Sequence, residues 1–354
     1  RRKDVIGPNK GMDELASGPE ITAYYDKLMN QTLLPSGRVS YHPMCNFVGG
    51  DMFEAVLSGA RTQVHVRRKL VDATYHSPAV PSTHTPRFRV ADGVRVVPPN
   101  ALPMLAAHPS AKPVRRFVIV GAGKTAMDAV VWLLTSGGVA PSAISWVMPR
   151  DSWLVNRVTT QPAPEFFDRS IGGQADQMEA FAKATSTADL FARLEACGAL
   201  LRIHTARTPS MFHLATVTPG EVELLRSIDH VIRKGRVQAI EADHLVLDGG
   251  REPMPADALY IDCTASAVEP RALQPIFQGN KLVLQLVRLP QPAFSAALVA
   301  YVEAHYGSDE EKNRLCASVP FPHTLDDYAP ATLANMRNQF QWSQDKTLRQ
   351  WIRD

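Results

Sequence analysis

The chain is 354 residues long, which at about 150 residues per domain suggests roughly two domains. Its 45% apolar and 21% charged residues exclude a long disordered chain and suffice to fill sizeable cores without disulfide staples. With 38 Lys and Arg against 35 Asp and Glu the net charge is +3, so no excess of positive charge marks a nucleic-acid partner. No apolar run approaches the roughly 18 to 20 residues of a membrane helix, so no membrane span is expected.

In chain order, Ile21 to Met29 reads as a helix, with apolar or aromatic residues at 21, 24, 25 and 28. Leu34 to Gly37 is a turn, Arg38 to Tyr41 a short strand and Asp51 to Leu57 a short helix. Thr62 to Lys69 alternates, with Val64 and Val66 on one face, as a half-buried strand does. Leu70 to Tyr75 follows. Residues 76 to 113, with Pro78, Pro81, Pro86, Pro98, Pro99, Pro103, Pro109 and Pro113, read as an ordered connector with a domain boundary near 112.

The clearest local signal comes next. Arg116 to Val120 is a short apolar run, Gly121 to Ala126 a tight turn, and Met127 to Leu134 a helix that stops at Gly137-Gly138. Ala143 to Met148 is a second apolar strand. Together they make one β-α-β unit, which implies a parallel sheet and an α/β fold. Residues 163 to 203 read as helical. Thr218-Pro219-Gly220-Glu221 is a capping box that opens another helix. His230 to Arg233, Val237 to Glu241 and His244 to Leu247 read as short antiparallel strands, and Ala258 to Thr264 as a buried one. From Phe294 onward the pattern is helical. Leu70 to Thr74 and Tyr260 to Thr264 echo each other: both are apolar and end in Asp, a small residue and Thr.

Gly121, Gly123 and Ala126 satisfy G-x-G-x-x-A. The first glycine allows the tight turn and the second lets a pyrophosphate approach the backbone. The small third residue lets the helix pack on the strand. The helix start offers N–H groups and partial positive charge to a phosphate. Gly121, Ala122, Gly123, Lys124, Thr125 and Ala126 are therefore candidate cofactor-binding residues. At the end of the second strand, Arg150 offers a guanidinium suited to the 2′-phosphate of NADPH, while the adjacent Asp151 keeps NADH open. Asn156 and Arg157 are candidates for positioning nicotinamide or phosphate.

Other chemistries find no footing. No Tyr-x-x-x-Lys follows the turn. The four cysteines, Cys45, Cys197, Cys263 and Cys316, form no C-x-x-C, so neither a redox disulfide nor a metal site is indicated, and a reducing, cytoplasmic setting is the expectation. No nucleophile elbow is present. His42, His65, His76, His84 and His108 read as surface or loop histidines. A hydride donor site without an evident substrate acid or base suits a second cofactor that takes the hydride, such as a flavin.

Val118 to Asp128 resembles the internal NADPH motif of the flavin-containing monooxygenases and related FAD- and NAD(P)-dependent oxidoreductases. In that resemblance Leu70 to Tyr75 and Tyr260 to Ala265 sit where the family has its two A-T-G-type linkers, although Tyr75 and Ala265 stand where it has glycine. Thr74 and Thr264 join the candidate cofactor-binding residues on that basis. The resemblance implies a Rossmann-type three-layer NADPH-binding domain at 113–268, with helical and β-hairpin insertions. It implies the rest of an FAD-binding domain, with its connector, at 1–112, and a return to that domain with a helical C-terminus at 269–354. The family's first G-x-G-x-x-G, for FAD, is absent, and with a start that lacks Met a missing N-terminal segment is the expectation. The implied activity is hydride transfer from NADPH to flavin. Oxygen activation and oxygenation of a small-molecule substrate then follow, or electrons pass to another acceptor. The alternatives are a flavin-free NADP-dependent dehydrogenase and a non-enzymatic NADP-binding module. Oligomeric state and substrate are open.

Overall fold

The computed structural model describes residues 2–107, 114–266 and 268–354. The expected boundary at 112/113 lies outside the described residues. The fold is mixed α/β. Its centre is a five-stranded parallel sheet, in spatial order Val231–Ile232, Ile144–Val147, Phe117–Val120, Leu259–Asp262, Arg95–Val97.

Side-chain alternation along these strands builds two cores. Ile119, Ile144, Trp146, Leu259 and Ile261 point to one face, where they meet Met127, Val130 and Leu133 of helix Lys124–Thr135 and Val222 and Leu225 of helix Pro219–Arg226. Val118, Val120, Val147 and Tyr260 point to the other face. There they pack on the antiparallel strands Val237–Ile240, His244–Leu247 and Gly250–Pro253. The result is a sheet with helices on one side and a β-meander on the other. Each fully buried large aliphatic side chain contributes about 1.5–3 kcal/mol. The capping box at Thr218 and Glu221 is formed as the sequence predicts, with Pro219 in the first turn.

Two smaller cores flank this centre. Trp153, Phe191, Leu194 and Phe212 join the helices Gly173–Lys183 and Thr187–Ala196 to strands Ser152–Asn156 and Met211–Val217. The C-terminal helices Pro292–His305, Asp309–Leu315, Tyr328–Gln344 and Lys346–Arg353 close around Phe277, Leu298, Val302 and Trp342. Strand Leu70–Asp72 pairs in parallel with Lys281–Val283. The chain therefore leaves this region after Asp72, builds the central sheet, and returns at Lys281.

Several local expectations need correction. Asp51 to Leu57 is not a helix: Met52–Ala55 is a strand antiparallel to Cys45–Gly49. The reversal is made by Gly49, Gly50 and Asp51, all with left-handed φ (87°, 57° and 58°). Arg38 to Tyr41 lies outside any strand. Of Thr62 to Lys69 only the start is strand, within the exposed Arg61–Gln63, and Val64 is itself exposed. Val231–Ile232 is not part of the antiparallel meander. It runs parallel to Ile144–Val147 as the sheet's outer strand. Within the Pro-rich stretch read as an ordered connector, Arg95–Val97 forms the opposite edge of that sheet.

The cysteines give a direct check of this packing. Cys263 and Cys316 are buried and Cys45 and Cys197 half-buried, all four as free thiols. Burial raises the Cys263 thiol, helped by the charges of Asp262 and Asp128, and pushes Cys316 up to about 12. A thiol reagent at mildly alkaline pH is expected to label Cys45 and Cys197 in the native protein. Cys263 and Cys316 should react only after guanidinium unfolding. Fast native labelling of Cys263 would contradict the sheet packing.

Candidate functional site

The glycine turn lies at the carboxyl end of strand Phe117–Val120. From this strand the chain builds outward in one direction through Ile144–Val147 and Val231–Ile232. It then returns to add Leu259–Asp262 on the other side. Such a reversal opens a crevice at the strand ends, where ligands of open α/β sheets bind.

Gly121 is held on every side. Its N–H donates to the Val147 carbonyl at 3.2 Å, and its own carbonyl accepts the buried Trp146 indole N–H at 2.7 Å. Its φ is +126°, and a Cβ there would stand 2.7 Å from the Cys263 carbonyl oxygen. Glycine is thus required by both backbone conformation and the neighbouring chain. Gly123 differs. Its φ is an ordinary −86°, it caps the helix with no side-chain hydrogen bond, and a Cβ would meet nothing within 4 Å. The N–H groups of Ala126 and Met127 turn back onto the Gly123 carbonyl. Those of Lys124 and Thr125 are left for a partner from outside the helix. Ala126 is fully buried, as the small third position requires. Lys124 pairs with Asp128 one turn along.

The next strand end supplies charge. Arg150 is exposed and has no ion-pair partner among the described residues. Partial loss of solvent, then the like charge of Arg236, pulls its pKa below the ordinary arginine value. Asp151 is engaged: Arg233 grips both its oxygens, at 3.0 and 3.2 Å, and both side chains are largely buried. Arg233 and Arg236 follow the outer strand Val231–Ile232, whose parallel pairing brings them beside residues 148–151. In the sequence both lie in the basic run Arg233-Lys234-Gly235-Arg236, whose place beside residues 148–151 only the strand pairing reveals.

Thr264 and Thr74 turn out to be structural twins. Asp262 Oδ1 accepts the Thr264 N–H at 2.9 Å and its hydroxyl at 2.6 Å. Asp72 Oδ1 accepts the Thr74 N–H at 2.9 Å and its hydroxyl at 2.7 Å. These bonds hold the Asp72 carboxyl below the usual range. The sequence echo is a repeated turn. Thr264 lies in the crevice, next to the Cys263 carbonyl that Gly121 touches. Thr74 lies at the end of the other sheet, where its carbonyl accepts from Arg271 at 3.0 Å.

His84 is a loop histidine as expected, and its side chain is mostly buried, with Nε2 3.2 Å from the Thr264 hydroxyl and 3.7 Å from Asp262. Two other expectations change. Asn156 and Arg157 do not reach the crevice. The Asn156 amide holds the Gly198 carbonyl at 2.9 Å and caps Val158, and Arg157 fastens residue 13 through its carbonyl. Their burial serves packing. His108 lies outside the described residues. No group of acidic, His or Cys side chains among the described residues could hold a metal, and no described helix is long and apolar enough to cross a membrane.

No family model matches this chain. Proteins named as uncharacterized in Mycobacterium tuberculosis and Mycobacterium bovis are 44% identical to it over 349 residues, which is 99% of this chain. The chain spans 64% of the length of those relatives.

Gly121→Ala tests the crevice. Left-handed strain and the clash with the Cys263 carbonyl together should cost about 2–5 kcal/mol, read as a lower urea midpoint with an unchanged slope. A wild-type midpoint would show that the two strand ends do not meet as described.

Proposed function

We propose that this chain is the NADPH-binding part of an FAD- and NADPH-dependent oxidoreductase of the flavin-containing monooxygenase kind, with a Rossmann-type nucleotide domain set between two segments of an FAD-binding domain. One observation carries the nucleotide reading. Gly123 has no conformational or packing need to be glycine, yet it stands at an uncapped helix start in the crevice. The open space above it is what a pyrophosphate approaching the backbone requires.

The residues fit the cofactor. The N–H groups of Lys124 and Thr125 would receive the pyrophosphate, and the unpaired Arg150, with Arg236 beside it, the 2′-phosphate. Asp151 would otherwise favour a ribose hydroxyl, but Arg233 already holds both its oxygens. That favours NADPH over NADH. When bound, NADPH supplies a hydride; this chain orients it and keeps water from the crevice floor through Gly121, Trp146 and Cys263.

The flavin fits these residues less well. Residues 2–107 hold no strand–glycine turn–helix unit of the kind found at Gly121. FAD therefore belongs, on this reading, to the longer protein. Its support is chain order. The twin Asp-x-Thr turns bracket the nucleotide-binding unit, and the segments outside them pair through Leu70–Asp72 and Lys281–Val283.

Calorimetry on this chain tests the nucleotide reading. Gly123→Ala should keep the wild-type unfolding midpoint and lose NADPH affinity about tenfold or more. Undiminished NADPH binding would remove the crevice as the site. Arg150→Ala should weaken NADPH by about 1.5–3 kcal/mol, the worth of hydrogen bonds to a charged group, and leave NADH nearly unchanged. Equal losses would take Arg150 out of the phosphate site. A protein of the relatives' full length should purify with bound flavin and oxidise NADPH. A colourless product that takes up no FAD would sink the flavin part alone.

A further inference from the structure

A cavity of about 220 Å³ lies away from the Gly123 turn, where three stretches of chain converge. Tyr75 and His76 enter it directly after the Thr74 turn. Arg271 enters from the segment after Thr264, and Phe321, His323 and Asp327 from the segment before helix Tyr328–Gln344. The Tyr75 hydroxyl donates to the carbonyls of Arg271 and Ala272, both at 3.1 Å. The side chain standing where the resembled family has glycine therefore braces one wall against another.

The two carboxylates around this cavity face partners other than Arg271. Asp327 is spent on the N–H groups of His323 and Thr324, at 3.0 and 2.7 Å. Glu269 stands 3.8 Å from Arg87. Arg271 has no carboxylate partner among the described residues. It touches the Thr74 carbonyl through Nη1 and lies 6.0 Å from the Tyr75 ring centre. The His76 Nε2 is buried with no hydrogen-bond partner, and burial, then the Arg271 charge, holds this imidazole below its ordinary pKa. The Arg271 guanidinium is exposed and touches no carboxylate among the described residues, and the buried His76 Nε2 has no hydrogen-bond partner; together they offer a polar ligand a charged and a neutral contact. The Tyr75 and Phe321 rings call for an apolar body. The volume is below that of a drug-sized pocket.

We infer that this cavity binds a small organic carboxylate, its carboxylate on Arg271, its apolar body between Tyr75 and Phe321, and a polar atom on His76 Nε2. The site is separate from the nucleotide crevice.

Calorimetry with benzoate, benzamide and inorganic phosphate, on this chain without nucleotide, tests it. Benzoate should bind saturably, and benzamide and phosphate each about tenfold or more weakly. Arg271→Gln should weaken benzoate about tenfold and leave benzamide unchanged. Should circular dichroism show that Arg271→Gln fails to fold, Phe321→Trp, which fills the cavity and keeps the guanidinium, should lose benzoate. Several results would overturn the inference: no saturable benzoate heat, benzamide or phosphate binding as tightly as benzoate, or benzoate affinity unchanged in the folded variant. Because no nucleotide is present, none of these results bears on Gly123 or Arg150.

Discussion

The approach of Gly121 to the Cys263 carbonyl is the constraint on which the rest of the site depends. Two parallel strands end side by side, and the first must turn at once into a helix while the second runs past it. Any side chain at 121 would force them apart. The Cys263 N–H also donates to the Val120 carbonyl, at 2.9 Å, so the contact is fixed by the ladder itself. With the turn pinned there, the helix start and the ends of three neighbouring strands open on one crevice. Arg150 and Thr264 reach it from opposite sides because their strands flank the same central one.

This part of the fold was legible in the sequence because its determinants are local. A four-residue apolar strand, a glycine turn and an amphipathic helix each carry their own pattern, and a parallel sheet follows from their order. The pairing of Val231–Ile232 was not legible. A short apolar run looks the same in a meander and at the edge of a parallel sheet. What decides is a partner some 85 residues away, since the Trp146 N–H donates to the His230 carbonyl and the Met148 N–H to the Ile232 carbonyl, both at 2.9 Å.

In the N-terminal part the helix read at Ile21 to Met29 is present as Gly18–Leu28 and the turn at Leu34 to Gly37 is formed. The strand and helix readings after them failed for a different physical reason. Pattern reading assumes that apolar residues mark a buried face. Helix Gly18–Leu28 buries none of its residues, and Tyr24, Tyr25, Phe47, Val48 and Leu57 are all exposed. Where no core selects a face, the backbone chemistry of the turn decides instead. Gly49-Gly50-Asp51 made a hairpin of a stretch whose side chains suggested a helix.

The Asp-x-Thr echo shows how a weak signal gains meaning from geometry. Each aspartate closes its strand with the same two hydrogen bonds, to the N–H and hydroxyl of the threonine two residues on. The remaining oxygen differs: Asp72 offers it to Lys281 at 3.2 Å, Asp262 to His84 at 3.7 Å. The first partner is half-exposed and ties the two outer segments of chain together. The second is mostly buried and sits over the crevice. A shared turn thus serves one strand as a tether and the other as the rim of a site. Five similar residues could not reveal that difference, because it lies in what packs against them.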